Sequence, residues 1–344
     1  MTDYLGVIVG VGSVGKRHAS VMAKRYPRLL VIDINDSALG WASKELSTDV
    51  RCARSLAEVA DEVRTNAERV TAVIATWGPQ HFEDFSRLVD LGVRRVFCEK
   101  PVATSLQDLR AIRTLCSRKK VAFTAGLHLR YRGMADFIKA SAVSHLGGAP
   151  TSFVVDGGAR CMSTTGSHWL DFAADVFNSP PLDVVASLGE APINPRSPAL
   201  YYWAGTASWS FSGSRRLTIS YDNSSSVHER VRLYAPHGIV EIDPELTIRL
   251  LVRNKEELSR DPWVVRVGDV LPEPVAVFRP DMSEVLSQQL DELEGLRPPL
   301  YGAGVSLDSA EALVAAFESS RLGRRLTLPA TDDLVSQSIE WSIS

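Results

Sequence analysis

The chain has 344 residues, 38 basic against 41 acidic side chains, a formal charge of −3, and 45% apolar residues. At roughly 100 to 200 residues per domain, that length excludes a lone mini-domain and fits two domains that each bury a core. The near-neutral balance, without a block of like charges, lacks the footprint of a nucleic-acid or anionic-membrane binder and points to small molecules or copies of the chain as partners.

The opening MTDYLGVIVGVGSVGKRH runs from apolar residues straight into glycines, which reads as a strand and not as a signal peptide. Tyr4 to Val9, Leu29 to Asp33, Val70 to Ala75, Arg95 to Cys98 and Val121 to Thr124 read as strands, with helical patterns between them. VTAVIAT and VRRVFCE are apolar on both faces and rich in β-branched residues, as strands buried between two helix layers must be. These features predict a doubly wound parallel sheet. Ser55-Leu-Ala-Glu58 and Ser105-Leu-Gln-Asp108 carry capping-box spacing for two helix starts, the second weaker because Asp replaces Glu.

After about residue 126 the rhythm changes. One helix is expected near Met134 to His145, followed by alternating segments at Thr206 to Ser212, Leu217 to Tyr221, Arg230 to Tyr234 and Ile239 to Ile242. They predict an α+β domain with a large, mostly antiparallel open sheet, one face less apolar than the other. Ala191 to Ala199, with three prolines, reads as a loop, and helices return around Ser283 to Leu293 and Leu307 to Ser319. The expected division is 1–126 and 127–344. No stretch reaches the 18 or more apolar residues of a membrane span. The scattered Cys52, Cys98, Cys116 and Cys161 show no metal-ligand spacing, which fits reduced thiols in a soluble cytoplasmic protein and argues against a metal site.

Gly10-Val-Gly12-Ser-Val-Gly15 follows the first strand and opens a helix, with Asp33 ending the next strand 18 residues past Gly15. This is the spacing of a dinucleotide fingerprint: glycines for the tight turn and close approach to a pyrophosphate, free N–H groups at the helix start, and an acidic residue for the ribose. A 2′-phosphate at Asp33 meets a like charge costing roughly 4 kcal/mol at about 4 Å in a surface-like dielectric, so NAD is favoured over NADP. Ile34 and Asn35 supply no cation to reverse that preference.

Ala75-Thr-Trp-Gly-Pro-Gln-His81 and Phe97-Cys-Glu-Lys-Pro101 each end a predicted parallel strand, where ligands collect in open α/β sheets. GVGSVGKRH, ATWGPQH, EKP, AGLHLRYRG and GSHWLDF occur in that order, and together with Gly302 to Pro329 the chain resembles the glucose-fructose oxidoreductase and inositol dehydrogenase family, Gfo/Idh/MocA. The resemblance implies a Rossmann domain followed by an α+β domain. It places Lys100 beside the nicotinamide, where its ammonium holds the reacting oxygen, with Glu99 and Pro101 fixing the backbone. It makes His168 the general acid/base of the second domain. Four residues earlier, where the family usually has Asp, this chain has Thr164, which positions a substrate or water but cannot raise the imidazole's proton affinity as a carboxylate does. Asp171 reads as structural in the family pattern, and Asp156 is a further candidate with nothing to single it out.

The resemblance extends the cofactor contacts to Gly10, Gly12, Ser13, Val14, Gly15, Asp33, Ile34, Thr76, Trp77, His81, Glu99, Lys100 and His128, and the substrate contacts to Lys100, Arg130, Thr164 and His168. Arg130 and Tyr131 border cofactor and substrate, and His128 stands where an amide is more usual. His18 and His81 match family positions and equally suit packing histidines. Tyr201-Tyr202-Trp203 is expected on a sheet face that serves as an interface in a homodimer or homotetramer. Three functions remain open. The leading one is an NAD-dependent oxidoreductase acting on a secondary hydroxyl or keto carbon of a sugar, cyclitol or nucleotide sugar. The others are an NAD-dependent glycoside hydrolase of the same fold and a non-enzymatic dinucleotide or sugar sensor.

Overall fold

Six short strands lay the foundation: β1 (Leu5–Val9), β2 (Arg28–Ile32), β3 (Asp49–Ala53), β4 (Val70–Ile74), β5 (Arg95–Cys98) and β6 (Ala122–Ala125). In the computed structural model, which describes residues 4–189, 201–253, 270–278 and 281–343, they pair in parallel in the order β3-β2-β1-β4-β5-β6. Every residue of β1 and β4 is buried, as the two-faced apolar runs require. Helices α1 (Ser13–Arg25), α2 (Asp36–Glu45), α3 (Ala60–Thr65), α4 (His81–Asp90) and α5 (Leu106–Lys119) connect the strands. Strand order reverses between β1 and β4, which opens a crevice at their carboxyl ends.

The two capping signals differ in outcome. Ser105 Oγ accepts the Asp108 N–H at 3.0 Å and starts α5, so the box with Asp caps through its serine. Ser55 leads into a 3₁₀ turn, Leu56–Val59, and its hydroxyl donates instead to Glu58 Oε1 at 3.2 Å. Strand β3 was not among the predicted elements. It is the sheet edge, with Asp49 and Arg51 exposed, so it shows no apolar run.

A second sheet of nine strands follows, built from β7 (Ser152–Asp156), β8 (Asp183–Gly189), β9 (Ala204–Phe211), β10 (Arg215–Tyr221), β11 (Arg230–Ala235), β12 (Gly238–Ile242), β13 (Thr247–Arg253), β14 (Val270–Val277) and β15 (Leu326–Thr327). Its order is β14-β13-β12-β11-β7-β10-β9-β8-β15, and all pairs are antiparallel except β7 with β10. Burial alternates along β9 to β13, so one face is covered. Helix α6 (Met134–Ser144) precedes the sheet, and α7 (Ser167–Phe177) packs on it. Phe153 of β7 meets Trp169 and Phe172 edge-on with ring centroids 6.1 and 6.0 Å away, and Phe177 meets Phe211 at 5.0 Å. Each such fully buried aromatic contributes about 1.5–3 kcal/mol. Ala191 to Ala199, expected as a loop, lies outside the described residues.

The chain forms two units, neither of them continuous. The first comprises Met1–Leu127, Asp281–Val314 and Asp332–Ser344; the second comprises His128–Pro280 and Ala315–Thr331. The first crossing lies one residue past the expected boundary, but two segments expected in the second domain belong with the first. The reason is apolar burial on α8 (Met282–Leu293), whose Leu286, Leu290 and Leu293 enter one cluster with Ile8, Met22, Tyr26, Leu29 and Phe97. Gln289 Nε2 donates to the Ala125 carbonyl at 3.0 Å. Glu294, its side chain fully buried, accepts from Arg25 Nη2 at 2.5 Å, from Thr71 Oγ1 at 3.2 Å and from the Tyr26 hydroxyl. Burial and the Glu294 charge push the Tyr26 phenol up, so it remains a donor. Helix α9 (Ala303–Leu322) spans the third crossing, and α10 (Asp332–Gln337) leads to a C-terminal segment whose Trp341 N–H donates to Thr104 O at 3.0 Å.

Candidate active site

The glycine loop between β1 and α1 is shaped by three different demands. Gly10 has φ +90°, and a Cβ there would sit 2.6 Å from the Ala75 carbonyl carbon and Thr76 nitrogen. A Cβ on Gly15 would sit 2.1 Å from the Gly10 carbonyl oxygen. Gly12 is the opposite case: it is exposed, caps α1 without a side-chain hydrogen bond, and a Cβ there would have no heavy atom within 4 Å. Gly10 and Gly15 thus close the turn, while Gly12 leaves an open face beside the N–H groups of Ser13 and Val14. That combination suits a pyrophosphate held on backbone donors.

Asp33 follows β2 and is half-buried. Its Oδ2 accepts the Val11 N–H at 2.6 Å and its Oδ1 the Asn35 N–H at 2.8 Å, which fixes the carboxylate at the edge of the glycine loop with lone pairs left for a ribose diol. Ile34 is 82% exposed. Arg54, which the sequence reading did not place here, reaches this loop: its Nη2 donates to Ile34 O at 3.3 Å and its Nη1 pairs with Asp36 at 2.8 Å.

The end of β4 supplies the opposite wall. Trp77 is exposed, and Thr76 Oγ1 donates to Asp84 Oδ2 at 2.8 Å. Burial pushes the Asp84 carboxyl up to about 6, the Thr76 hydrogen bond opposing it. Asp84 also went unsingled, although it lies on the stripe of α4 that carries His81, Phe85 and Leu88, where a carboxylate stands out. His81 is buried, with Nδ1 2.7 Å from Pro101 O and Nε2 3.1 Å from Thr76 O. Burial lowers its pKa, so the ring is neutral and ties the ends of β4 and β5 together.

At the end of β5, Glu99 Oε1 lies 2.7 Å from His18 Nε2, and Glu99 Oε2 accepts the Lys100 N–H at 3.2 Å. Burial alone would raise the Glu99 carboxyl; the His18 hydrogen bond and the charges of His18 and Lys100 hold it below the usual range. A Cβ on Gly126 would come within 2.8 Å of Glu99 Oε2, so β6 ends in the residue that makes room for it. His18 on α1, Glu99 on β5 and Gly126 after β6 together fix the backbone that presents Lys100.

The second unit carries the other residues singled out in the sequence. His168 opens α7 immediately after a five-residue π turn, Met162–Gly166, in which Thr164 is buried and gives its carbonyl to Ser167 Oγ at 2.7 Å. A π turn ahead of a helix is a recurrent feature of functional sites. Arg130 is buried, its Nε 2.6 Å from Asp171 Oδ2, so the guanidinium is neutralised by the carboxylate one turn beyond His168. His128 lies against His168, ring centroids 4.1 Å apart and planes inclined by 45°, and its Nδ1 accepts from Arg132 Nε at 3.2 Å. Asp156, at the end of β7, is exposed. Tyr201 is exposed, while Trp203 packs edge-on against buried Phe317 at 5.6 Å.

Residues 6–127 match the family model described as the oxidoreductase family, NAD-binding Rossmann fold, of Gfo/Idh/MocA proteins. Through that domain, the chain belongs to the Gfo/Idh/MocA oxidoreductase family. Inositol 2-dehydrogenase 3 of Saccharopolyspora erythraea is 30% identical over 149 residues, 42% of either chain. Inositol 2-dehydrogenase of Azotobacter vinelandii is 34% identical over 113 residues, 33% of this chain and 32% of that one. These matches span less than half of the curated relatives' length. Two solved structures share the fold across nearly the whole of this Gfo/Idh/MocA chain. Aldose-aldose oxidoreductase from Caulobacter crescentus, complexed with glycerol, has a TM-score of 0.71 at 18% identity and covers 95% of this chain and 100% of its own. The WlbA dehydrogenase from Bordetella pertussis, in complex with NADH and UDP-GlcNAcA, has 0.69 at 18%, covering 96% and 100%. Among the described residues no cluster of three or more His, Cys, Asp or Glu is arranged to hold a metal ion, and no helix is long and apolar enough to cross a membrane.

Proposed function

We propose that this protein is an NAD-dependent oxidoreductase acting on a secondary hydroxyl or keto carbon of a sugar, cyclitol or nucleotide sugar. The carrying observation is the glycine loop, open only at Gly12, with Asp33 fixed beside it by Val11 and Asn35. Gly10, Gly12, Ser13, Val14 and Gly15 would hold the pyrophosphate on backbone N–H groups, Asp33 and Ile34 the adenosine end, and Thr76 and Trp77 the wall of the crevice. Bound NAD would supply the hydride acceptor. Lys100, its backbone fixed by Glu99, would donate to the substrate oxygen and favour the charge that develops there. His168 would take the hydroxyl proton, while Arg130 and Asp171 brace its helix. NAD is favoured over NADP because Asp33 opposes a 2′-phosphate and the nearby Arg54 cation is held by Asp36.

The test is NADH absorbance on mixing the protein and NAD with free sugars, cyclitols, sugar phosphates and nucleotide sugars. Lys100→Ala should keep NAD affinity within a few-fold and lose turnover by about 10²- to 10³-fold, because its contact strengthens in the transition state. Turnover within a few-fold of the parent removes Lys100 from the chemistry, and tighter NADP than NAD binding overturns the cofactor assignment. A second reading, a sensor that binds the dinucleotide without turnover, is favoured by the buried, uncharged Thr164 before His168. Silence across the panel with NAD still bound would support it.

A further inference from the structure

The turn that begins the second unit brings three nitrogen-bearing side chains into sequence: Arg132, His128 and His168. A guanidinium has donors only, so the 3.2 Å contact from Arg132 Nε makes His128 Nδ1 an acceptor and puts the ring proton of His128 on Nε2. Adding a second proton to His128 would have to occur at Nδ1, which would break that hydrogen bond and bring two cations together. The His168 ring is 4.1 Å away in centroid distance, so a charge on one imidazole is felt by the other. We infer that these side chains form a one-proton unit, in which Arg132 keeps His128 neutral and His168 is the member that takes the proton.

The surroundings support that division. From the turn holding Leu129–Arg132, Arg130 faces α7, but its charge is matched by Asp171 at 2.6 Å. From α6, Lys139 is matched by Asp175 at 2.8 Å. The π turn Met162–Gly166 contributes Ser163 and Thr164, both uncharged. From β10, Tyr221 is held neutral by burial, and Arg215 binds the Phe177 carbonyl at the far end of α7. Arg132 is thus the cation in this group whose printed partner is an imidazole rather than a carboxylate. His128 is a positioning residue: it hands the Arg132 charge on to His168 through a neutral aromatic ring, so that His168 gains no second proton carrier beside it.

This rests on the proposed role of His168 as proton acceptor, but it is tested without turnover, so a failed dehydrogenase assay and a failed histidine assignment are distinguishable. The experiment is a 15N-histidine spectrum of the purified protein, without cofactor, from pH 5 to 8, with the two resonances assigned by His128→Gln and His168→Gln. The expected result is that His168 converts to the imidazolium while His128 keeps an unprotonated Nδ1 throughout. In Arg132→Met, His128 should begin to protonate, its midpoint rising by about one pH unit or more as the cation is removed. If that variant does not fold, Arg132→Gln, which keeps a donor and drops the charge, gives the same reading. Protonation of His128 before or together with His168 in the parent protein overturns the inference, and so does an unchanged His128 midpoint in the arginine variants.

Discussion

Gly12→Ala and Gly15→Ala should separate cofactor binding from folding, although both change one glycine of the same loop. Gly12 has φ −71° and ψ −162°, which alanine adopts without strain, and its added methyl meets nothing within 4 Å. Loss of the better N-cap costs a few tenths to about 1 kcal/mol, and reduced freedom of the unfolded chain returns about 0.4–1 kcal/mol, so stability should stay within about 1 kcal/mol of the parent. The same methyl fills the face offered to the pyrophosphate, and NAD affinity should fall at least about tenfold, or roughly 1.4 kcal/mol. Gly15→Ala puts its methyl 2.1 Å from the Gly10 carbonyl oxygen, over an ångström inside ordinary contact. Because the obstacle is backbone, relief requires α1 to move off β1, and the cost should be about 1–3 kcal/mol or more. Urea unfolding and NAD titration by protein fluorescence measure the two quantities on the same samples. If Gly12→Ala binds NAD like the parent, or Gly15→Ala unfolds at the parent's urea midpoint, the assignment of the loop is wrong.

Asp84 gives a pH-dependent prediction. Its carboxyl is raised from 3.8 to about 6 chiefly by burial, so between those values the folded state holds a proton that the unfolded chain has released. Its contribution therefore favours folding at low pH and is lost as pH rises toward 6, by at most about 3 kcal/mol. Asp84→Asn should gain stability relative to the parent between pH 4 and 7; a constant difference in urea midpoint across that range would show that Asp84 is not so shifted. Arg130→Met should cost about 3–5 kcal/mol by leaving Asp171 buried and uncompensated, whereas Arg130→Met combined with Asp171→Leu should recover much of the loss. Equal destabilisation in single and double variants, measured by thermal unfolding, would argue against that pair.

Strands flanked by helices were legible because β1 and β4 are apolar on both faces, a pattern few other environments tolerate. β3 was not, because an edge strand needs to satisfy only one neighbour and carries Asp49 and Arg51 into solvent. The glycine fingerprint was legible as spacing, yet its division of labour between Gly10, Gly12 and Gly15 is a matter of which backbone stands opposite, and that is known only once β4 lies beside β1. The return of α8 to the first unit was not read, since Leu286 and Leu290 declare an apolar face without naming the sheet it will cover. Arg54 beside Ile34 and His128 on His168 are likewise products of register and turn geometry, and no local pattern announces them.

The helix that completes the first apolar cluster is made late. During synthesis, the groove formed by Met22, Tyr26 and Leu29 waits from Leu127 until Met282 emerges, about 8 to 30 s at 5–20 residues per second. Through that interval the Rossmann sheet is nearly complete but Arg25 and Tyr26 lack Glu294, and an apolar stripe meant for α8 faces the cytosol or a chaperone. The first unit is therefore first to begin folding and among the last to finish, and the yield of active protein should respond to translation speed through the second unit more than through the first.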